Sequence, residues 1–285
     1  MDDAHIFIVG ANGQLGHALQ VQYPGARKAD IDELDITDRE SVLGFDWSGI
    51  EVILNAAAYT DVDGAETPEG RVAAWKVNAT AVGYLADIAR KYDITLLHIS
   101  TDYVFDGTKD PHAEAEDFAP LSIYGASKAA GDLLFSQLEK HYILRTSWVI
   151  GEGKNFVRTM LGLSQKGVSP TVVADQIGRL TFTSELVRAI DHLLSHGCEF
   201  GTYNVSNDGE PASWADITRT IFQEARFEDL TVTNTTTADY YAGKPGIAPR
   251  PLRSTLDLAK LHATGFISRD WREDLNEYVK RELSK

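Results

Sequence analysis

Four short stretches of the chain carry apolar residues at most positions: HIFIVG (5–10), EVILNAA (51–57), ITLLHIS (94–100) and HYILRTS (141–147). Continuous apolar runs of this length suit parallel strands covered on both faces, whereas a half-exposed strand alternates. Between them lie QLGHALQVQY (14–23), GRVAAWKVNATAVGYLADIARKY (70–92) and SKAAGDLLFSQLEKH (127–141), whose apolar positions recur at helical spacing. Strand and helix in alternation predict an α/β fold built on a doubly wound parallel Rossmann sheet. A second strand is predicted near GARKAD (25–30).

After about residue 150 the rhythm loosens. NFVRTMLGLSQKG (155–167), TSELVRAIDHLLSHG (183–197) and SWADITRTIFQEARF (213–227) read as helices; PTVVAD (170–175) and GTYNVSN (201–207) read as strands. The last stretch, DWREDLNEYVKRELSK (270–285), predicts an amphipathic helix capped by its aspartate. This pattern predicts a smaller C-terminal α/β lobe over 151–285, interleaved with a first domain over 1–150, since no low-complexity linker separates them. The glycine- and proline-rich AGKPGIAPRP (242–251) is either a connector or a rim that closes on a ligand.

The first strand runs into Gly10, Gly13 and Gly16 and then a helix. Glycines let the chain turn tightly and let backbone approach a diphosphate, while the helix start offers free amides and a positive dipole end. The spacing is G-x-x-G-x-x-G. Placed directly after the first strand, it predicts a dinucleotide site and makes 1–150 the cofactor-binding domain. Asp30 stands where an acid bonds a ribose 2′-hydroxyl, and Arg27 and Lys28 beside it suit a 2′-phosphate instead, so NADPH and NADH both stay open. Asp35 and Ile36 stand where a turn flanks adenine; the alternative for Asp35 is a cap on the helix DRESV.

Composition narrows the class. The chain has 285 residues, 43% hydrophobic and 24% charged, with a formal charge of −15. Such a charge argues against nucleic acid or an anionic membrane as partner. No apolar run approaches the ~20 residues that span a bilayer. Cys198 is the only cysteine, which excludes an intramolecular disulfide and a cysteine-based metal cluster. The acidic start MDDAHIFIVG does not read as a signal peptide, and the expectation is a cytoplasmic protein. The sequons at Asn78 and Asn234 are read as chance.

Tyrosine and lysine stand four apart twice, in YGASK (124–128) and YYAGK (240–244). On a helix this spacing puts both on one face. Tyr124 and Lys128 open a helical pattern; Tyr240 and Lys244 enclose Gly243 and precede Pro245, which reads as loop surface. A tyrosine titrates near ~10, and a lysine cation nearby lowers that value, which suits a proton donor.

GANGQLG (10–16), NAAAYTDVDGAE (55–66), STDYVFDG (100–107), YGASK, RTSWV (145–149), NFVRTM (155–160), DQIGR (175–179) and RPLRSTL (250–256) occur in one order over nearly the whole chain. With them the sequence resembles the extended short-chain dehydrogenase/reductase family, and within it the dTDP-4-dehydrorhamnose reductases. The resemblance implies NAD(P)H-dependent reduction of the C4 ketone of a dTDP-4-dehydro-β-L-rhamnose in the making of dTDP-rhamnose. Tyr124 would be the acid, Lys128 would also hold the nicotinamide ribose, and the Thr101 hydroxyl would bond the reacting oxygen. Gly13, Gln14 and Leu15 would contact the diphosphate through backbone, and Ala57, Ala58 and Tyr59 would lie along the cofactor. Asp102 and Trp148 would contact the sugar and Arg250 the nucleotide diphosphate; a surface arginine is the alternative for Arg250.

Two departures matter. His17 and Ala18 stand where some members have an acid that binds Mg²⁺ at a dimer interface, so no metal and no such dimer are expected. Leu180 stands where proline is common. The expected form is a monomer or weak homodimer, whole or fused to the preceding epimerase. Alternatives are another nucleotide-sugar reductase or epimerase, or a cofactor-binding regulatory subunit; the complete Thr101, Tyr124 and Lys128 set argues against the last.

Overall fold

The computed structural model describes residues 2–285. Six parallel strands form the central sheet: β1 (Ile6–Val9), β2 (Arg27–Ala29), β3 (Val52–Asn55), β4 (Thr95–Thr101), β5 (His141–Thr146) and β6 (Gly201–Asn204). Their order is β6-β5-β4-β3-β1-β2. All four residues of β1 and of β3 are buried, as continuous apolar runs require. The weak second strand at 27–29 is real, and the chain leaves β1 for it on one side while β3 lies on the other. That reversal opens a crevice at the carboxyl ends of β1 and β3.

Helices cover both faces. On one side α1 (Gln14–Gln22) packs with a later helix, Thr183–Ser195, around Ile6, Ile8, Leu54 and Leu144. On the other, Val82, Leu85 and Ile88 meet Phe7, Ile53 and Leu96. Each fully buried side chain of this kind contributes roughly 1.5–3 kcal/mol. The predicted helix over 70–92 is longer and interrupted: α2 (Pro68–Trp75) and α3 (Ala81–Tyr92) are joined through a π-helical turn at Lys76–Thr80. Next comes α4 (Ile123–Phe135), capped by Ser122, whose hydroxyl accepts from Gly125 N–H.

The later region holds α5 (Phe156–Gln165), α6 (Thr183–Ser195), α7 (Trp214–Glu224) and α8 (Trp271–Leu283). Asp270 caps α8, accepting from Arg272 N–H. Its core is separate and centres on Val157, Leu161, Phe182, Ile217, Ile221, Trp271 and Leu275. Leu180, at the position where proline was the common residue, is fully buried in this core, so an apolar branch serves there. Three sheets of two strands complete the region, each only two or three residues long. No helix among the described residues is long and apolar enough to cross a membrane.

Candidate active site

The glycine turn forms where β1 ends. Gly10 has φ +77°, and a Cβ there would lie 2.5 Å from Ala57 N, so only glycine fits between the two loops. A Cβ on Gly16 would lie 2.2 Å from Gly10 O, so Gly16 seats the helix on the turn rather than lining the crevice. No side chain caps the start of α1 at Gly13, leaving its first amides to an anion. The turn thus fits a dinucleotide diphosphate on its own geometry.

From it the crevice runs two ways. One arm, about 410 Å³, is lined by Gly10, Asp30, Asp35, Ile36, Ala57 and Ala58, among others. Asp30 accepts from Asn12 N–H at 2.8 Å. Asp35 accepts from Thr37 N–H and Oγ1–H, and the Thr37 hydroxyl holds its carboxyl below the usual range. Asp38, not Asp35, caps the short helix Arg39–Gly44. Arg27 and Lys28 turn away from this arm: Arg27 donates to Asp46 O and Ser48 O, and Lys28 donates to Gln20 Oε1. Of the three side chains weighed for the ribose, only Asp30 faces it.

The other arm is a cleft of about 970 Å³ whose lining includes Gln14, Leu15, Thr101, Asp102, Tyr124, Lys128 and Trp148. Thr101 ends β4, Tyr124 and Lys128 share one face of α4, and Trp148 follows β5. Burial pushes the Tyr124 phenol well up, with the Thr101 hydroxyl pulling the other way. Burial thus outweighs the lowering expected of Lys128, whose Nζ donates to Ile99 O at 2.6 Å and lies 3.1 Å from His98 Nε2. Desolvation outweighs a cation committed to other partners. Burial also lowers Lys128 itself, to about 8, against the pull of Asp132. Asp102 is raised to about 6 by burial, opposed by hydrogen bonds from the Ser254 and Thr101 hydroxyls. Among the described residues its Oδ2, like Thr146 Oγ1, has no hydrogen-bond partner within the protein.

Trp148 sits at φ +48° and stacks on Trp214 at 3.7 Å between centroids, which leaves its other side to the cleft. Tyr59 and Arg250 do not line either arm. The Tyr59 backbone is held on both sides by Asn78, which accepts at 2.9 Å and donates at 3.1 Å. Arg250 donates twice to Asp63, at 2.8 and 2.9 Å, and covers the Tyr241 ring at 4.8 Å. It ties the 242–251 loop to the segment after β3, and its charge is already matched there.

Sequence reasoning missed four residues that shape the site. Asn78 sits in the π-helical turn, 1% exposed, and also donates to Ser127 Oγ. Asn55, the last residue of β3, and His98, in the middle of β4, are buried register neighbours. A polar residue inside an apolar run was the available signal. Trp214 had none, because its role depends on the stack with Trp148.

Over residues 4–284 the chain matches the family described as RmlD substrate binding domain. A dTDP-4-dehydrorhamnose reductase of Aggregatibacter actinomycetemcomitans is 40% identical over 293 residues, covering 95% of this chain and 97% of that protein. Among solved structures, a dTDP-4-dehydrorhamnose reductase of Clostridium acetobutylicum has a TM-score of 0.90 at 37% identity, covering 98% of this chain and 99% of its own. One from Bacillus anthracis, in complex with NADP, has a TM-score of 0.88 at 36% identity, covering 97% of this chain and 98% of its own.

Proposed function

The chain belongs to the RmlD substrate binding domain family, and on that premise we propose that it reduces the C4 ketone of dTDP-4-dehydro-β-L-rhamnose to dTDP-β-L-rhamnose with NADPH or NADH. The observation that carries this reading is the meeting of Thr101, Tyr124 and Lys128 in one cleft that opens from the glycine turn. When bound, the reduced nicotinamide supplies the hydride.

The chain's own residues do the rest. Tyr124, kept protonated by its enclosure, gives its proton to the former ketone oxygen. The Thr101 hydroxyl aligns that oxygen. Lys128, one turn along α4, places positive charge beside the phenolate that remains. Asp102 lines the cleft as a sugar contact, and the Trp148 face gives apolar area to the deoxysugar. Arg250 supports the substrate side through the loop it anchors on Asp63 rather than through the diphosphate.

Asp30 accepts a ribose 2′-hydroxyl but repels a 2′-phosphate, and no cation of the 27–28 pair offsets this. NADH is thus favoured over NADPH. We read 1–150 as the dinucleotide-binding domain and 151–285 as the substrate lobe, interleaved through β6. We place the reaction in the cytoplasm, with the chain a monomer or weak homodimer, alone or joined to the preceding epimerase.

The test is oxidation of each reduced cofactor by purified protein given the dehydro-sugar. The expected result is turnover with both and a higher kcat/KM for NADH. A flat trace from folded protein overturns the activity; a clear NADPH preference overturns the role given to Asp30.

A further inference from the structure

Beneath the cleft lies a chain of three buried polar residues, of which the proposed reaction uses only Lys128. Asn55 is 1%, His98 0% and Lys128 1% exposed. His98 Nδ1 lies 3.0 Å from Asn55 Nδ2, and His98 Nε2 lies 3.1 Å from Lys128 Nζ. Asn55 Oδ1 accepts from the N–H of Ala57, a residue of the cofactor crevice, at 3.2 Å.

Counting protons gives these contacts a consequence. A neutral imidazole has one N–H and one lone pair, and an ammonium has no lone pair. Beside a charged Lys128, Nε2 must accept, so the ring proton sits on Nδ1 and needs an oxygen. Among the described residues the only one in reach is Asn55 Oδ1, which must then leave Ala57 N–H. In the arrangement seen, the Asn55 amide turns its NH₂ to Nδ1, which puts the ring proton on Nε2, facing a lysine lone pair. The two arrangements differ by one proton, lost to solvent from the Lys128 side, and by whether Ala57 N–H is held. Ile99 O accepts from lysine in either state, so it does not discriminate.

We propose that His98 is a positioning residue that links the charge of Lys128 to the backbone along the cofactor, by moving its ring proton from one nitrogen to the other. This rests on the reductase reading for its use in catalysis, not for its chemistry. The groups facing the chain are few. Asp132 lies one turn beyond Lys128 and is paired with Arg145 of β5 at 3.1 Å. Tyr124 shares α4, and Asp102 follows β4. The Phe135 ring stands 5.3 Å from His98, with His141 behind it.

The test is ¹⁵N NMR of histidine-labelled protein without substrate, titrated from neutral to alkaline pH. The His98 signal is identified by its loss in His98→Gln. The expected result is an Nδ1–H tautomer that converts to Nε2–H as Lys128 loses its charge. One tautomer throughout overturns the proposal. In turnover, His98→Leu should lower kcat about 10- to 100-fold, the loss of one hydrogen bond to a charged group. It should also move the alkaline limb to lower pH, while His98→Gln, which keeps an acceptor, restores most of both. A His98→Leu enzyme with the wild-type pH profile likewise overturns it. If that variant does not fold, the NMR titration decides. Protein that fails to reduce the sugar yet shows the tautomer change defeats the reductase reading alone.

Discussion

Tyr124 and Lys128 stand one turn apart on α4, with Lys128 1% exposed and held by Ile99 O and His98. Tyr240 and Lys244 have the same separation in sequence, but their helix, Thr237–Tyr241, ends before the lysine. There Lys244 Nζ folds back over the Tyr240 ring at 4.1 Å, in solvent. The first pair is desolvated, which makes each protonation state costly and tunable. The second is a cation on an aromatic face, worth roughly 0.5–1 kcal/mol at an exposed site. Spacing alone sets neither outcome; the cap at Ser122 and the strand beside α4 do, by continuing the helix and closing water out.

The widest separation between the pairs should appear in turnover. Tyr124→Phe is expected to lower kcat by on the order of 10³-fold, the scale of a lost general acid, with cofactor affinity kept. Tyr240→Phe should stay within about twofold, as surface changes do. Steady-state kinetics and cofactor titration check both, and an active Tyr124→Phe would break the comparison.

Stability against pH sharpens it next. Burial pushes the Lys128 ammonium down to about 8 in the fold, from an ordinary 10.5. Between these values the unfolded chain holds a proton that the folded chain has released, so folding gains as pH rises. Relative to Lys128→Met, the wild type should gain roughly 3 kcal/mol across that window, measured by urea unfolding. A flat difference would mean that the lysine is better solvated than its burial indicates. Smallest of all, Lys244→Met should cost about 0.5–1 kcal/mol by the same measurement.

Much of the sheet was legible because continuous apolar runs leave few alternatives to a strand covered on both faces. The glycine turn was legible for a related reason: a backbone that must approach another backbone admits no side chain. Arg27, Lys28 and Arg250 were harder. Proximity in sequence or motif placed them near an anion, while competing partners at Asp46, Gln20 and Asp63 decided their direction. The net rise of the Tyr124 phenol was hidden likewise, because desolvation is a property of the assembled site. In the second region the helices and the strands Thr171–Val173 and Gly201–Asn204 were legible, while its two-residue strands were invisible, being too short to show a period.

The sixth strand has a consequence for how the protein is made. Gly201–Asn204 lies against His141–Thr146, on the far edge of the sheet from the glycine turn. A chain ending at residue 150 would keep Gly10, Thr101, Tyr124 and Lys128 and yet leave that edge bare. Its unpaired amides and carbonyls would offer a template to any neighbouring chain. On the ribosome, a first half that folds before the stretch near residue 204 emerges would carry that bare rim until the strand seals it.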